Sequence, residues 1–598
     1  MTSAAPENEI VAVYSARLAS HKLKQAAYER QHKQLGFLKV GLAAVTAAVF
    51  VLALKATIAS AYWFLIPLAL LALLEKIHAQ VLDATRQGKR VISFYERGLA
   101  RLENRWMGTG ESGADFLDPA HPYARDLDLF GKGSLYELLC TARTAAGKNI
   151  LARWLLAPAS SKEIQSRQQA VLELAPGLGF REEIAVCGED IRSQARAEAL
   201  LAWAEAPPVL NPAPVRTAAF FLIILWLLSL FVWAVWGWWE FTFLFGAINR
   251  YFHSHFRARV QKIIEAEVFT REFAILPAIL ARIERKTFSA HQLTDLQSTL
   301  RQQEISPSAS IGKLRHLVES LESRRNLIIT VSDPFILWST QVAFAIEAWR
   351  QKFGPAFRPW LMAVGEIETL NALANYAYEH PEDSFPQFVH DRTAFAAEGL
   401  AHPLLPRGKS IRNTVHLGPD LRLIIISGPN MSGKSTLVRA VGLNAVLAQC
   451  GAPVCAYQLR LSPLQVTASI CTLDSLQGGV SRFYAEILRL KLIAELTKQT
   501  TAVLFLLDEL LSGTNSADRL AGAEAFVRSL LVRGALGLVT THDLALTHMP
   551  EKLPSPAANF HFADHLENGR LRFDFQLAPG VAKSTNALKL MRSIGLDV

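Results

Sequence analysis

The chain has 598 residues, a length that predicts several domains. Hydrophobic residues make up 51% and charged residues 19%, below the roughly 25% typical of soluble proteins. This composition excludes a disordered chain and predicts contact with a membrane. The net charge of +9 suits anionic lipid, nucleotide or nucleic acid without choosing among them. The five cysteines form no CxxC pair, so neither a zinc ribbon nor a disulfide framework is predicted.

Two apolar runs lie near the amino terminus. Residues 40–54 are uncharged, and after Lys55 the nineteen residues 56–74 are uncharged as well, close to the ~20 needed to cross a bilayer. We interpret 1–39 as a basic cytosolic tail, 40–74 as a transmembrane hairpin and 75–114 as a helical connector. A buried helical hairpin of a soluble core is the alternative.

A second apolar block covers residues 217–255. Residues 217–239 are uncharged, and a further apolar run, 241–249, follows Glu240. As one helix the block would be too long for a single crossing, yet it is short for two. The basic tail before residue 40 favours a cytosolic start, the first hairpin returns the chain to the cytosol, and Arg250, Arg257, Arg259 and Lys262 favour a cytosolic end of this block as well. We therefore predict two spans here, and four in total.

A phosphate-binding loop is predicted where the β-branched run 421–427 meets a glycine-rich turn. Such a loop closes its backbone N–H groups around phosphates, while Lys434 reaches the terminal phosphates and Ser435 ligates Mg²⁺. A glycine-rich turn without a ligand is the alternative. The predicted nucleotide-binding residues are Gly428, Pro429, Asn430, Met431, Ser432, Gly433, Lys434, Ser435 and Thr436.

Two acidic residues end a second hydrophobic run, 502–509. Asp508 is predicted to hold Mg²⁺, and Glu509 to orient or deprotonate the attacking water as a general base. His542 follows a third apolar strand, 536–540, where a sensor of the γ-phosphate is expected, although a lone histidine is more often a surface or satisfied residue. The predicted catalytic residues are therefore Glu509, His542 and Lys434.

A further glycine-rich segment, 474–486, contains Ser481 and leads into a helix whose start could bind a phosphate. The loop before Lys434 already provides one helix start for its own nucleotide. A second helix start of this kind suggests that it binds the phosphates of a nucleotide held by a partner subunit. An ordinary capped helix is the alternative.

Together the motifs GPNMSGKST, DSLQGGVSRFYAE, LLDELLSGTNSAD and TTHD, in this order, resemble the ATPase domain of the MutS family of DNA mismatch-repair proteins. Residues 129–174 resemble the start of that family's helical core. The resemblance implies a homodimer that uses ATP and Mg²⁺, with Ser481 acting across the dimer and His542 sensing the γ-phosphate. It implies an α/β P-loop ATPase domain of ABC-like type, with a largely parallel sheet, over residues 401–598.

The expected α-helical core and lever helices occupy residues 115–216 and 256–400. No counterpart of the family's mismatch-reading domain is found in the first 120 residues, so direct mismatch sensing is in doubt. The second apolar block splits the middle helices and leaves only residues 256–360 for lever helices, so a long DNA clamp is in doubt as well. The chain is predicted to be α-helical up to about Ala401, with Pro355 and Pro359 interrupting the later helices.

These features predict a multi-pass protein of the inner (plasma) membrane with its ATPase domain in the cytoplasm. It would couple ATP binding and hydrolysis in a dimer to movement of the helical core, acting on DNA. The alternative is a nucleotide-controlled membrane scaffold or switch that acts on a protein partner without DNA. A transporter ATPase is disfavoured because only Glu240 interrupts the predicted spans. The expected partners are ATP, membrane lipid, a second copy of the chain and DNA.

Overall fold

The computed structural model describes residues 4–55, 65–187, 195–207, 212–264, 272–302, 304–322, 327–470, 482–511, 515–567 and 570–582. Helices make up the described chain as far as residue 379, and strands first appear after it. The molecule therefore consists of a helical part followed by an α/β part, in the order that the sequence predicts.

Two long helices, α1 (Ala4–Lys55) and α2 (Leu65–Leu102), pack along each other at the amino terminus. The predicted tail and the first apolar run form one continuous helix, α1, about 78 Å long at 1.5 Å per residue. Its start packs in an apolar cluster that includes Ile10, Tyr14 and Tyr95. Most of the predicted second run, 56–64, lies outside the described residues.

Twelve described helices follow before the first strand, and many begin with a side-chain cap. Ser134, Thr144 and Ser160 each accept a backbone N–H of the first helical turn, which satisfies a donor that the helix itself cannot pair. The helices are α3 (Leu135–Leu139), α4 (Ala145–Leu156), α5 (Ser161–Leu174), α6 (Leu178–Ala185), α7 (Ala195–Glu205), α8 (Pro212–Trp236), α9 (Glu240–Ile264), α10 (Glu272–Arg285), α11 (His291–Leu300), α12 (Pro307–Glu322), α13 (Leu327–Ile336) and α14 (Trp338–Glu379).

The 42-residue helix α14 is the centre of the helical part, and α4, α5, α7, α11 and α12 pack around it. The expectation that Pro355 and Pro359 interrupt the helices is wrong, because α14 runs through both. Each proline removes a helical hydrogen bond at a cost of about 3 kcal/mol. Buried neighbours such as Phe357 and Trp360 keep the helix packed on either side, and this burial offsets the cost.

Helices α8 and α9 form an antiparallel hairpin with exposed apolar side chains. The Asn249 amide donates to the Phe335 carbonyl oxygen at 2.7 Å, and the Thr242 hydroxyl donates to the Ser229 carbonyl oxygen at 3.1 Å. Within the described residues, two helical segments are long and apolar enough to cross a membrane, Asn8–Val51 and Val215–Trp236. A crossing by α9 is not among these candidates, and the four crossings stay a prediction.

The α/β part contains a six-stranded sheet in the order β10-β9-β4-β8-β7-β6, in which only β9 and β10 pair antiparallel. The prediction of a largely parallel sheet is confirmed. A smaller sheet has the order β1-β5-β2-β3. The strands are β1 (Gln387–Phe388), β2 (Phe395–Leu400), β3 (Asn413–Leu417), β4 (Leu423–Ser427), β5 (Gln458–Leu461), β6 (Gln465–Ser469), β7 (Val503–Asp508), β8 (Leu536–Thr541), β9 (Ala557–Glu567) and β10 (Arg570–Pro579).

Among the described residues, three α-helices and a 3-10 helix (Leu544–Lys552) complete the α/β part; the α-helices are α15 (Lys434–Cys450), α16 (Arg482–Leu496) and α17 (Ser516–Val532). Strands β1 and β2 precede residue 401, so the α/β part begins before the boundary that the sequence predicts. Both strands are short, and they pair with β5, which lies far along the chain. A local pattern of so few residues does not distinguish such strands from loop.

Candidate nucleotide-binding site

The carboxyl ends of β4, β8 and β7 lie side by side in the large sheet. Ser427 at the end of β4 pairs with Thr541 of β8, and Thr540 pairs with Asp508 of β7. Ligands of open parallel sheets bind at this edge, outside the carboxyl ends of the strands. The glycine-rich loop, the acidic pair and His542 therefore meet at one site although they are far apart in the sequence.

The glycine-rich loop, residues 428–433, connects the fully buried strand β4 to helix α15. A side chain at Gly428 would place its Cβ 3.0 Å from the Phe562 carbonyl oxygen, so the backbone here comes too close to β9 for other residues. Gly433 has a φ of 101°, which favours glycine, and caps the start of α15. The loop thus folds tightly and directs the positive end of α15 toward the site.

Lys434 lies inside the loop. Its ammonium group donates to the carbonyl oxygens of Gly428 and Pro429, both at 2.8 Å, and its side chain is almost completely buried. Burial lowers the pKa of this amine, while the nearby Glu509 and Asp508 carboxylates oppose the shift. The buried Lys434 ammonium group therefore lies near two carboxylates. The negative charge of a bound polyphosphate would be balanced by Lys434, and the positive charge of Mg²⁺ would be balanced by the carboxylates.

The Ser432 hydroxyl is buried and has no hydrogen-bond partner among the described residues. A buried polar atom without a partner is uncommon in folded proteins and often marks a site that a ligand completes. Because this hydroxyl belongs to the predicted phosphate loop, the loop fits a phosphate group.

The acidic pair is held by β8. The Thr540 hydroxyl donates to the Asp508 carboxylate, and the Glu509 N–H donates to the Thr540 hydroxyl oxygen at 3.2 Å. Nδ1 of His542 lies 3.3 Å from Oε1 of Glu509. Glu509 has a φ of 51°, a conformation that costs energy outside glycine and is concentrated at functional sites. The structure brings these residues together, and their catalytic roles stay a prediction.

The residues predicted to hold Mg²⁺ are Ser435, in the first turn of α15, and Asp508, at the end of β7. No group of three or more His, Cys, Asp or Glu in the described part of the chain could hold a metal ion by itself. Mg²⁺ is commonly bound by one or two protein oxygens together with water and substrate phosphates. A hydroxyl and one carboxylate beside a phosphate loop fit this ion.

Ser481 lies outside the described residues, immediately before α16. The start of α16 is linked to the acidic pair, because the buried Glu486 carboxylate accepts the Leu511 N–H at 2.6 Å. The helix that follows the second glycine-rich segment is therefore tied to the chain just beyond Glu509.

A cleft opens next to Gly433, and the sequence did not predict it. Phe575 of β10 lies at its edge with a φ of 54°, where the pairing of β10 with β9 changes register. Asn413 holds this bulge by donating to the Phe575 carbonyl oxygen at 3.0 Å and accepting the Leu577 N–H at 2.7 Å. The other lining residues are Leu400, Ala401, His402, Leu405, Lys409, Ser410, Ile411, Thr436, Leu437, Ala440 and Phe562.

His402 is one of several polar residues in this lining, beside Lys409, Ser410, Asn413 and Thr436. Burial, assisted by the charge of Arg439, lowers the pKa of His402 to about 4, so its ring is neutral near pH 7. Its Nδ1 accepts the Leu404 N–H at 3.3 Å, which leaves the proton on Nε2. The cleft therefore combines apolar side chains, an exposed phenyl ring and polar groups, a combination suited to a heteroaromatic base.

Comparison with known proteins finds similarity in the region that carries this site. The family model of MutS domain V matches residues 424–597. The chain is 29% identical to the DNA mismatch repair protein MutS of Geobacillus thermodenitrificans (strain NG80-2) over 290 residues, which cover 48% of this chain and 31% of that protein. It is 33% identical to DNA mismatch repair protein MutS 2 of Halobacterium salinarum over 235 residues, 38% of this chain and 27% of that protein.

The matched region is the part of the chain that carries the site. The chain spans about a third of the length of the curated relatives it matches. The domain V match begins within β4, directly before the phosphate loop, and includes both acidic residues and His542. Residues 424–597, which carry the candidate site, therefore match domain V of the MutS family.

Proposed function

We propose that the protein is a membrane-bound, MutS-like ATPase that binds and hydrolyses ATP as a dimer and couples this to movement of its helical core. The observation that carries the proposal is the meeting of Lys434, the pair Asp508 and Glu509, and His542 at one edge of the sheet. The cleft beside Gly433 supports a nucleotide rather than a simple phosphate, because it offers space for a base.

Each residue has a role that follows from its position. Lys434 and the backbone N–H groups of the loop bind the terminal phosphates, and Ser435 and Asp508 hold Mg²⁺. When bound, Mg²⁺ neutralises charge that develops on the phosphates. Glu509 orients the attacking water and accepts its proton, and His542, 3.3 Å away, fixes the Glu509 carboxylate.

We expect the Phe575→Ala variant to bind ATP about 1–3 kcal/mol more weakly, roughly 5-fold to 150-fold, because stacking of a base on an aromatic ring contributes this amount. Titration of the purified full-length protein with ATP measures the change. Tripolyphosphate, which has no base, is the control ligand, and its affinity should be the same for both proteins. An equal loss for ATP and tripolyphosphate would contradict the assignment of the cleft to the base.

Attachment to a membrane is supported by two helical segments. The apolar windows of Asn8–Val51 and Val215–Trp236 are 0% and 11% buried, whereas a core helix of a soluble protein would be mostly buried. The second segment carries exposed aromatic residues such as Phe221, Trp233 and Trp236, which form part of its apolar surface. The full-length protein should remain with membranes after an alkaline wash, and its release by that wash would contradict attachment.

DNA as the substrate rests on the relatives, whose names describe DNA mismatch repair. A membrane scaffold without DNA remains a second candidate, because the helices described between α9 and α14 have 10 to 16 residues and form no long arm. Mg²⁺-dependent ATP turnover in detergent, measured with duplex, branched and mismatched DNA at low salt, tests both. Turnover without any DNA affinity at low salt, where phosphate contacts are strongest, would favour the scaffold.

A further inference from the structure

An apolar groove runs along the hairpin of α8 and α9. On α9 the residues that line it recur every three to four positions, so they form one face of that helix. From Phe243 to Arg250 this face extends over about 10 Å. Arg250, at one end, is the one charged residue of the lining. The lining residues are Trp226 of α8, Thr242, Phe243, Gly246, Ala247 and Arg250 of α9, and Phe335 of α13.

Packed rings and a buried amide define the walls of this groove. The rings of Trp226 and Phe335 stack with their centroids 5.7 Å apart and an angle of 19° between their planes. The amide of the buried Asn249 donates to the Phe335 carbonyl oxygen at 2.7 Å and to the Leu222 carbonyl oxygen at 3.5 Å. A Cβ at Gly246 would lie 3.4 Å from Nε1 of Trp226, so glycine lets the indole ring pack directly on α9. The groove is therefore part of the packed structure of α8, α9 and α13.

The groove lies beside the candidate membrane span Val215–Trp236. Asn249 contacts the Leu222 carbonyl oxygen, so the neighbouring Arg250 lies at the level of Leu222 along the span. Leu222 is about 10 Å from the start of the span and about 21 Å from its end, at 1.5 Å per residue. A long arginine side chain at this level can extend its guanidinium toward the nearer membrane surface while its stem stays in the apolar region.

Arg250 is exposed, and among the described residues no carboxylate pairs with it. Arg257, two helical turns further along the same face of α9, is likewise exposed and has no such partner in the described part of the chain. A cation beside the apolar part of a membrane is costly unless it reaches a countercharge or water. A guanidinium group matches the geometry of a phosphate. The groove and Arg250 therefore fit a ligand with an apolar chain and an anionic phosphate headgroup.

We propose that this groove binds an anionic phospholipid, with one acyl chain between Trp226, Phe335 and α9 and with the headgroup phosphate against the Arg250 guanidinium. This inference rests on the proposed attachment to a membrane and adds the class of lipid and the site that holds it. A zwitterionic phospholipid fills the groove less well, because the cationic part of its headgroup offsets the attraction to Arg250. Since α13 is followed directly by α14, the lipid contacts a helix that is joined to the centre of the helical part.

Quenching of tryptophan fluorescence by brominated lipids tests the proposal. The purified full-length protein in a neutral detergent is titrated with phosphatidylglycerol or with phosphatidylcholine, both with brominated acyl chains. The same protein with Trp226→Phe is titrated in parallel, and the difference between the two reports lipid in the groove, because Trp226 lines it. We expect this difference to saturate at an about fivefold lower concentration of phosphatidylglycerol than of phosphatidylcholine, the factor that one arginine contributes near an anionic lipid headgroup.

Two pairs of variants, each compared with its own Trp226→Phe counterpart, locate the binding. Arg250→Gln should abolish the preference for phosphatidylglycerol. Arg259→Gln is its matched control and should keep the preference, because Arg259 lies on the same helix but its guanidinium lies over the Phe256 ring, outside the groove. Ala247→Phe fills the groove and should remove the saturable signal. Ile248→Phe adds a ring at the next, exposed position outside the lining and should retain that signal.

Equal affinity of the wild-type protein for the two lipids would overturn the inference. An unchanged preference in Arg250→Gln, or an unchanged signal in Ala247→Phe, would overturn it as well, provided that these variants elute from gel filtration like the wild-type protein. Failure of the proposed attachment has a different result, since the wild-type protein would then be released from membranes by the alkaline wash. A protein that stays with membranes but shows no lipid preference refutes the lipid site alone.

Discussion

We expect the Glu509→Gln variant to hydrolyse ATP about 10²–10⁴-fold more slowly than the wild-type protein, because it would lose the general base. Glutamine keeps the size and hydrogen-bonding shape of the side chain but cannot accept the proton of water. ATP binding is retained, since Lys434 and the phosphate loop are unchanged, and the ATP-bound dimer accumulates. Single-turnover hydrolysis and nucleotide retention on the purified protein measure both effects.

The environment of Glu509 makes this variant informative. Its backbone N–H is bonded to the Thr540 hydroxyl oxygen, and its carboxylate lies beside His542, so the side chain position is defined by β8. Glu495→Gln is the matched control, since Glu495 is exposed on α16 and pairs only with Lys498 among the described residues. Its turnover should equal that of the wild-type protein. Normal turnover by Glu509→Gln would show that another group activates the water.

The Glu379→Ala variant is expected to be less stable by about 3–5 kcal/mol, the usual loss when one partner of a buried ion pair is removed. The Glu379 carboxylate at the end of α14 accepts two N–H groups of Arg101, both at 2.6 Å. It also accepts the Tyr14 hydroxyl at 3.3 Å and the Asn375 amide at 2.9 Å. The variant leaves the buried Arg101 guanidinium without its countercharge.

Because Tyr14 lies on α1 and Arg101 on α2, this cluster joins the amino-terminal helices to the centre of the helical part. Limited proteolysis should therefore release the α1–α2 pair from Glu379→Ala at lower denaturant concentrations than from the wild-type protein. Glu382→Ala is the control, because Glu382 is partly exposed and pairs with Arg412 at 3.6 Å. If both variants unfold together with the wild-type protein, the ion pair does not hold these helices.

Much of the candidate site could be predicted from short stretches of sequence. Strand β4, the glycine-rich loop and the start of α15 are contiguous in the sequence. Their hydrophobic run, turn residues and lysine therefore form one local pattern that predicts the phosphate loop. Asp508 and Glu509 likewise follow their own hydrophobic strand. Strand β8 lies between β4 and β7 in the sheet, although it follows both in the chain. This strand order could not be predicted from the local sequence patterns.

Other features depend on residues that are distant in the chain. Phe575 comes to Gly433 through a register change in β10, and Asn413 holds it there from β3. Asp126 meets Arg489 only because the helical part packs on the α/β part. None of these residues has a local pattern that marks it.

The amino-acid sequence alone determined the phosphate loop, the acidic strand end, the apolar helices and the resemblance to the MutS family, since each depends on short stretches of neighbouring residues. The tertiary structure decided the cleft beside Gly433, the continuity of α14 through two prolines and the contacts of Asp126 with Ile470 and Arg489. Long-range packing supplies the free energy that stabilises these features. In α14 it outweighs the low helix propensity of proline, and for the other features the local sequence has no pattern that predicts them.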